Sequence, residues 1–135
     1  MTVSDIMNQD VLSVPPNMLL KEAFAKMSHA RIRHLPVVKG GRLAGIVSDR
    51  DIRLLAMQVD GVEDDGLVFS LDLDTTVRDV MHTDPIVIGP DVDLHEAIDM
   101  FIEEKVGAIP VVDEADHLLG IIGYIDLLEL LQERL

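Results

Sequence analysis

The chain has 135 residues, 48% apolar but only 3% aromatic, with no cysteine and a net charge of -14. That length and apolar share suit one compact aliphatic core and exclude a disordered or fibrous chain, and the lack of cysteine excludes thiol catalysis, thiolate metal sites and disulfides. Nucleic acid is excluded as a partner by the acidity, and a membrane span by the absence of an apolar run near the roughly 20 residues it needs, so a soluble, cytoplasmic protein is expected.

The charge is unevenly spread. Residues 1–53 hold eight of the eleven Lys and Arg against five acids, a balance of +3, whereas residues 54–135 hold three against twenty, a balance of -17. Arg31, Arg33, His34, Arg50 and Arg53 give a small anion a place to bind, while acidic surface elsewhere serves solubility.

In chain order the sequence reads as two copies of one unit with a period of 74 to 75 residues. Val3-Ser4-Asp5-Ile6-Met7 matches Val77-Arg78-Asp79-Val80-Met81, and Leu35-Pro36-Val37-Val38 matches Ile109-Pro110-Val111-Val112. Val11 to Val14 and Ile86 to Ile88, each stopped by proline, predict brief strands. Apolar residues then recur at i, i+3, i+4 and i+7, as Leu20, Ala23, Phe24 and Met27 and again as Leu94, Ala97, Ile98 and Phe101, so a helix is predicted in each copy. Asp93 and Glu96 offer the second of these a capping box, while the first, with Leu19 there, must rely on Asn17 or on packing.

A hairpin follows each helix. Its first version, Pro36 to Lys39 and Arg42 to Val47, turns at Gly40-Gly41, a pair suited to positive φ, and its second turns at the longer Asp113-Glu114-Ala115-Asp116. Each copy then closes with a helix, Asp51 to about Met57 and Asp126 to about Arg134. Ile125, Leu127, Leu128, Leu130, Leu131 and Leu135 make the last of these apolar over more than one face, which predicts a homodimer contact, with burial inside the monomer as the alternative.

Between the copies, residues 58–75 carry Asp60, Glu63, Asp64, Asp65, Asp72 and Asp74 and no basic residue. A calcium loop counted from Asp60 would place Asp65 where glycine is needed and Leu71 where glutamate is needed, so a solvated linker is expected. The expected organisation is a first unit at 1–57, the linker at 58–75 and a second unit at 76–135.

Neither a nucleophile elbow, a zinc spacing among the five histidines, a Gly-x-x-x-x-Gly-Lys loop nor a Gly-x-Gly-x-x-Gly fingerprint is present, so no catalyst is indicated. The informative stretch is Gly45-Ile46-Val47-Ser48-Asp49-Arg50-Asp51, repeated as Gly120-Ile121-Ile122-Gly123-Tyr124-Ile125-Asp126. A buried strand that delivers a hydroxyl, an arginine and a carboxylate to the first turn of a helix suits a phosphorylated sugar, because free amides and the helix dipole there favour anions. Ser48-x-x-Asp51 is equally a capping box. The basic residues of the first copy, and an Asp126 kept where Gly123 has replaced the hydroxyl, tilt the reading toward a ligand, with the aspartates accepting bonds from ribose hydroxyls.

These motifs, recurring in order in both copies over essentially the whole chain, resemble a tandem pair of CBS domains, named after cystathionine β-synthase, of the stand-alone bacterial or archaeal type. The resemblance implies an α+β fold of two pseudo-symmetric β-α-β-β-α units packed through their sheets, with two such pairs forming a disc. It also implies a non-catalytic sensor that needs no cofactor and binds AMP, ADP, ATP or S-adenosylmethionine in clefts built crosswise from the two units, passing the signal to an unidentified regulated protein.

Carried over by position, one cleft would use Ser48 and Arg50 for phosphate and Asp51 for ribose, with Asp84, Pro85, Val106, Gly107, Ala108, Ile109 and Pro110 lining the base. The other would use Asp126 for ribose, with Asp10, Val11, Ile32, Arg33, His34 and Pro36 for base and phosphate, and would be the weaker because Gly123 supplies no hydroxyl. Two other readings compete: a structural dimerisation module with empty clefts, and a nucleotide hydrolase with a metal on the acidic linker.

Overall fold

The computed structural model describes residues 1–60 and 74–135, with side chains left aside for 56–60. The part of the acidic linker at 61–73 lies outside the described residues. In order, the elements are α1 (Val3–Ile6), α2 (Leu20–Ala30), β1 (His34–Lys39), β2 (Arg42–Ser48), α3 (Asp49–Asp60), a 3-10 turn (Val77–Asp79), α4 (Leu94–Glu104), β3 (Ala108–Val112), β4 (Leu118–Gly123) and α5 (Tyr124–Arg134). The fold is α+β, with two two-stranded sheets among the described residues, β1-β2 and β3-β4.

Two compact units divide the chain, and they do not follow the order of the repeats. One, the first-repeat unit, comprises Leu12–Gly40 and Ala44–Asp84; the other, the second-repeat unit, comprises Met1–Val11, Gly41–Leu43 and Pro85–Leu135. The leading segment of each repeat therefore packs in the unit built on the other repeat.

In the first-repeat unit the predicted stripe of α2 is the buried one. Leu20, Ala23, Phe24 and Met27 meet Leu35, Val37, Val47, Ile52 and Val77 in a single hydrophobic cluster. Proline-stopped Val14 does not extend into a strand; it forms one parallel bridge to Val37, its N–H donating to the Pro36 carbonyl at 3.1 Å while its carbonyl accepts from Val38 N at 2.9 Å. The two prolines at 15 and 16 leave no further amide there to continue a ladder. Gly40 and Gly41 have φ of 60° and 80°, as a tight primed turn requires.

Helix α2 begins at Leu20 without a side-chain cap. Neither Asn17 nor packing supplies the acceptor: the Leu20 N–H donates to the Thr75 carbonyl at 2.9 Å, and Val77 N donates back to the Met18 carbonyl at 2.9 Å. A backbone segment from a distant part of the chain thus satisfies one of the helix's orphan amides.

The second-repeat unit repeats the scheme. Leu94, Ala97 and Phe101 join Val3, Ile88, Ile109, Val111 and Ile122, with Ile98 packed on the cluster but only half-buried. Ile88 makes a single parallel bridge to Val111, so here too the predicted strand is one residue long. Leu94 N donates to the Met1 carbonyl at 3.0 Å. The expected capping box of α4 does not close: Asp93 accepts from the His95 N–H at 2.8 Å, one residue earlier than Glu96.

Strands β3 and β4 pair antiparallel from Ala108↔Gly123 to Val111↔Gly120, then jump to Val112↔Leu118. The bulge absorbs the one residue by which the second hairpin exceeds the first, as local two-against-one pairing does. Its turn is tied by Asp113, whose Oδ1 accepts from Ala115 N and His117 N, both at 2.9 Å, while Oδ2 lies 3.0 Å from His117 Nδ1. Those amides hold the Asp113 carboxyl below the usual range, with the His117 side chain adding to the effect.

Candidate functional site

Strand β2 runs directly into α3, so Ser48 ends a strand and Asp49 begins a helix. The turn is closed by four bonds. Asp49 N donates to the Arg33 carbonyl at 2.9 Å; the Ser48 hydroxyl donates to Asp51 Oδ2 at 2.7 Å; Ser48 N reaches the same oxygen at 3.3 Å; and Asp51 N donates to Ser48 Oγ at 3.1 Å. The capping box expected from Ser48-x-x-Asp51 is therefore formed in full. Asp51 Oδ2 also lies 3.3 Å from His82 Nε2.

The second copy keeps half of this arrangement. Tyr124 N donates to the Gly107 carbonyl at 3.3 Å, as Asp49 does to Arg33, and Asp126 Oδ2 accepts from Gly123 N at 2.7 Å. Asp126 thus retains a structural bond that does not need the missing hydroxyl, which removes one argument for reading its retention as a sign of ligand binding. The same Thr-x-x-Asp bond recurs at Thr2–Asp5, 2.7 Å, and Thr76–Asp79, 2.8 Å, where short helical turns begin. The local pattern alone marks helix starts, and only its place where a sheet strand passes directly into a helix separates Asp51 and Asp126 from Asp5 and Asp79.

His82 was not singled out by the sequence. Its signal lies in glycine: a Cβ at Gly45 would stand 2.5 Å from the His82 carbonyl oxygen, and one at Gly120 would stand 2.8 Å from that of Asn8. Ile46 and His82 exchange backbone bonds of 3.1 and 2.9 Å, and Ile121 and Asn8 exchange bonds of 3.0 and 2.8 Å. The glycine of each repeated turn is there for close backbone approach, which brings the residue after Met81 against the head of α3.

Of the predicted site residues, Ile32, Arg33, His34, Pro36, Ser48, Arg50, Asp51 and Asp84 belong to the first-repeat unit. Asp10, Val11, Pro85, Val106, Gly107, Ala108, Ile109, Pro110 and Asp126 belong to the second. Arg33, Arg50, Asp84 and Asp10 are exposed, Ser48, Asp51, Asp126, His34, Ile32, Val11, Pro85, Val106, Gly107 and Ala108 are half-buried, and Pro36, Ile109 and Pro110 are buried. Ile109 is wholly enclosed in its core cluster. Burial holds the His34 imidazole below its ordinary pKa, with Arg33 acting in the same sense, while the Asp51 and Asp49 carboxylates oppose the shift.

Of the basic cluster that the sequence predicts, Arg31, Arg33 and Arg53 come together, while His34 and Arg50 are not part of the same recess. With Phe24, Met27, Ser28, Ile32 and Asp49 those three arginines line a recess of about 280 Å³ in the first-repeat unit. The Arg53 guanidinium sits 5.5 Å from the centre of the Phe24 ring, and its Nε lies 3.5 Å from Asp49 Oδ2. Among the described residues, no group of three His, Asp or Glu side chains stands together in a way that could hold a metal ion, and no helix is long and apolar enough to cross a membrane.

A CBS domain profile matches residues 3–57 and again residues 77–133. The CBS domain-containing protein YhcV of Bacillus subtilis is 31% identical over 126 residues, covering 93% of this chain and 82% of that protein. An inosine-5'-monophosphate dehydrogenase of Korarchaeum cryptofilum is 32% identical over 114 residues, which span 84% of this chain but only 21% of the enzyme. CBSX2, solved in complex with AMP, superposes with a TM-score of 0.80 at 27% identity, covering 98% of this chain and 96% of that one. With both halves matched in the same order as its internal repeat, the chain belongs to the CBS domain family as a tandem pair.

Proposed function

We propose that the chain is a non-catalytic, cytoplasmic regulatory module that binds an adenosine-containing ligand, AMP, ADP, ATP or S-adenosylmethionine, acts as a homodimer and passes the ligand state to another protein. The observation that carries this is the doubled strand-to-helix turn, with Asp51 and Asp126 held in the same place at the heads of α3 and α5. The AMP complex of CBSX2, a pair with the same fold, supports the choice of ligand class. In this reading Ser48 and Arg50 meet phosphate and Asp51 meets ribose, completed by Asp84, Pro85 and the segment from Val106 to Pro110. The second cleft joins Asp126 to Asp10, Val11, Ile32, Arg33, His34 and Pro36 and binds phosphate less well. Ligand shifts the dimer only through different affinity for its two arrangements.

Titrating the four compounds by calorimetry into the protein and an Asp51→Asn, Asp126→Asn double variant tests the assignment. Asparagine keeps an acceptor for the cap amides but removes the charge. Weakened binding supports the site, and undiminished binding by the variant removes it. A ligand at about a hundred times its dissociation constant adds roughly 2.7 kcal/mol of stability, readable as a thermal shift.

One observation favours a second reading. Both aspartates already serve their own helix starts, so a structural dimerisation module accounts for them without a ligand. That reading expects no thermal shift with any of the four compounds.

A further inference from the structure

The recess between the end of α2 and the start of α3 is lined by three arginines and one carboxylate, in a chain of net charge -14. Arg31 is the left-handed C-cap of α2, with φ 58°, Arg33 lies two residues on, and Arg53 comes from the second turn of α3. Arg31 and Arg33 are exposed, and among the described residues neither forms an ion pair. Like charges gathered on one small concavity repel one another, and an anion placed between Arg31 and Arg33 relieves that repulsion.

The second repeat is an internal control on whether the fold requires this lining. At the matching positions it carries Lys105 for Arg31, in the same left-handed conformation with φ 56°, then Gly107 for Arg33 and Leu128 for Arg53. Ile102 stands for Ser28 and Tyr124 for Asp49. The same helix-strand-strand-helix scaffold forms there with Lys105 as its one charged lining position, so Arg33 and Arg53 are not needed to build it.

We propose that this recess is a phosphoryl-anion site, suited to inorganic phosphate, pyrophosphate or the phosphoryl end of a small metabolite. Guanidinium forks match phosphate oxygens in pairs, and Arg53 is already oriented by the Phe24 ring and Asp49, so less freedom is lost on binding. The Ser28 hydroxyl adds a neutral donor on the same wall. A volume of about 280 Å³ sits at the small end of ligand sites and takes an ion or a compact phosphorylated molecule, not a folded partner. Phe24 is buried and carries Arg53 over its ring, so it offers no open aromatic face to a base. The recess shares Ile32 and Arg33 with the second cleft of the nucleotide reading, whereas Arg31, Arg53, Ser28 and Asp49 take no part in that reading and separate the two.

Calorimetric titration of sodium pyrophosphate and sodium phosphate into nucleotide-free protein at low salt tests the proposal. The expected result is one pyrophosphate per chain, weakened by added sodium chloride, and at least tenfold weaker in an Arg31→Ala, Arg53→Leu variant that still melts cooperatively. AMP binding by that variant should be unchanged. Asp49→Asn, which raises the local charge, should tighten pyrophosphate several-fold, giving a gain that misfolding cannot imitate. No binding by the wild-type protein, equal affinity in the arginine variant, or loss of pyrophosphate binding on Asp51→Asn with the arginine variant unaffected would each overturn the proposal, the last by placing the anion at the Ser48 turn.

Discussion

The Ser48 hydroxyl donates to Asp51 Oδ2 at 2.7 Å, and the Asp51 amide returns a bond to Ser48 Oγ at 3.1 Å. At the second repeat the carboxylate half of this exchange survives alone, from Gly123 N to Asp126 Oδ2. A helix start with the full exchange and one with half of it, on the same scaffold, give the cap a measurable share of stability. Ser48→Ala should cost about 1 kcal/mol, as loss of a hydroxyl cap does, whereas Gly123→Ser should add only a few tenths. A Cβ at Gly123 meets nothing closer than the Gly107 carbonyl at 3.5 Å, so the added hydroxyl enters without a clash. Urea denaturation of both variants measures the two changes, and a neutral Ser48→Ala would show that the box is formed but carries no stability.

The glycines that precede these turns make a sharper prediction. A Cβ on Gly45 would lie 2.5 Å from the His82 carbonyl oxygen, and one on Gly120 would lie 2.8 Å from that of Asn8. Backbone held by paired hydrogen bonds cannot retreat as a flexible side chain can, so Gly45→Ala and Gly120→Ala should each destabilise by roughly 2 to 3 kcal/mol. Gly89→Ala, whose nearest neighbour is a Val92 methyl at 3.8 Å, should stay within about 0.5 kcal/mol. Thermal melts of the three variants decide the matter; equal behaviour at Gly45 and Gly89 would mean that the close approach is not a constraint.

These two cases show where the sequence was readable. Helical stripes such as Leu20, Ala23, Phe24 and Met27 and the Gly40-Gly41 turn depend on neighbours within a few positions, and the structure bears them out. The Asp93–Glu96 box and the strands around Val14 and Ile88 were overestimated, because competing local bonds and proline stop them short. What local pattern could not reveal are relations over long separations: Thr75 capping α2, His82 against Asp51, and the leading segments exchanged between units. The turn that draws attention at Ser48 was legible as a motif, but its double role was not, since a cap and a ribose contact ask for the same carboxylate.

His34 gives a pH prediction. Burial lowers its pKa, aided by Arg33 and opposed by Asp51 and Asp49. Between that lowered value and the ordinary value of about 6.5, the unfolded chain binds more protons than the folded one, so stability rises with pH through this window. The penalty is fully present below the folded-state value and absent well above 6.5. Acidifying should therefore weaken the fold before the carboxylates titrate, and His34→Gln should flatten that part of the profile. A proton NMR titration checks the premise directly: a His34 midpoint at or above 6.5 would reverse the sign.

The last prediction concerns the outer face of α5. Leu127 and Leu130 turn inward onto their core cluster, while Tyr124, Ile125, Leu128 and Leu131 remain 47 to 53% exposed, and Leu135 is 96% exposed. Their spacing of three to four residues puts them on a single stripe, and α4 of the same unit leaves Ile102 66% exposed. Exposed apolar side chains gathered on one face mark an association surface. The matching positions of the first repeat are Asp49 for Tyr124, Arg53 for Leu128 and Ser28 for Ile102, so the apolar stripe, like the basic recess, belongs to one repeat only. A self-complementary contact through α5 fits such a surface, since a twofold axis sets the same leucines against one another. The Leu128→Lys, Leu131→Lys variant should then sediment as a monomer at concentrations where the wild-type chain is a dimer, and should keep its far-ultraviolet circular dichroism because neither side chain is buried in the unit. A wild-type chain that sediments as a monomer, or a variant that stays dimeric, would assign α5 some other role.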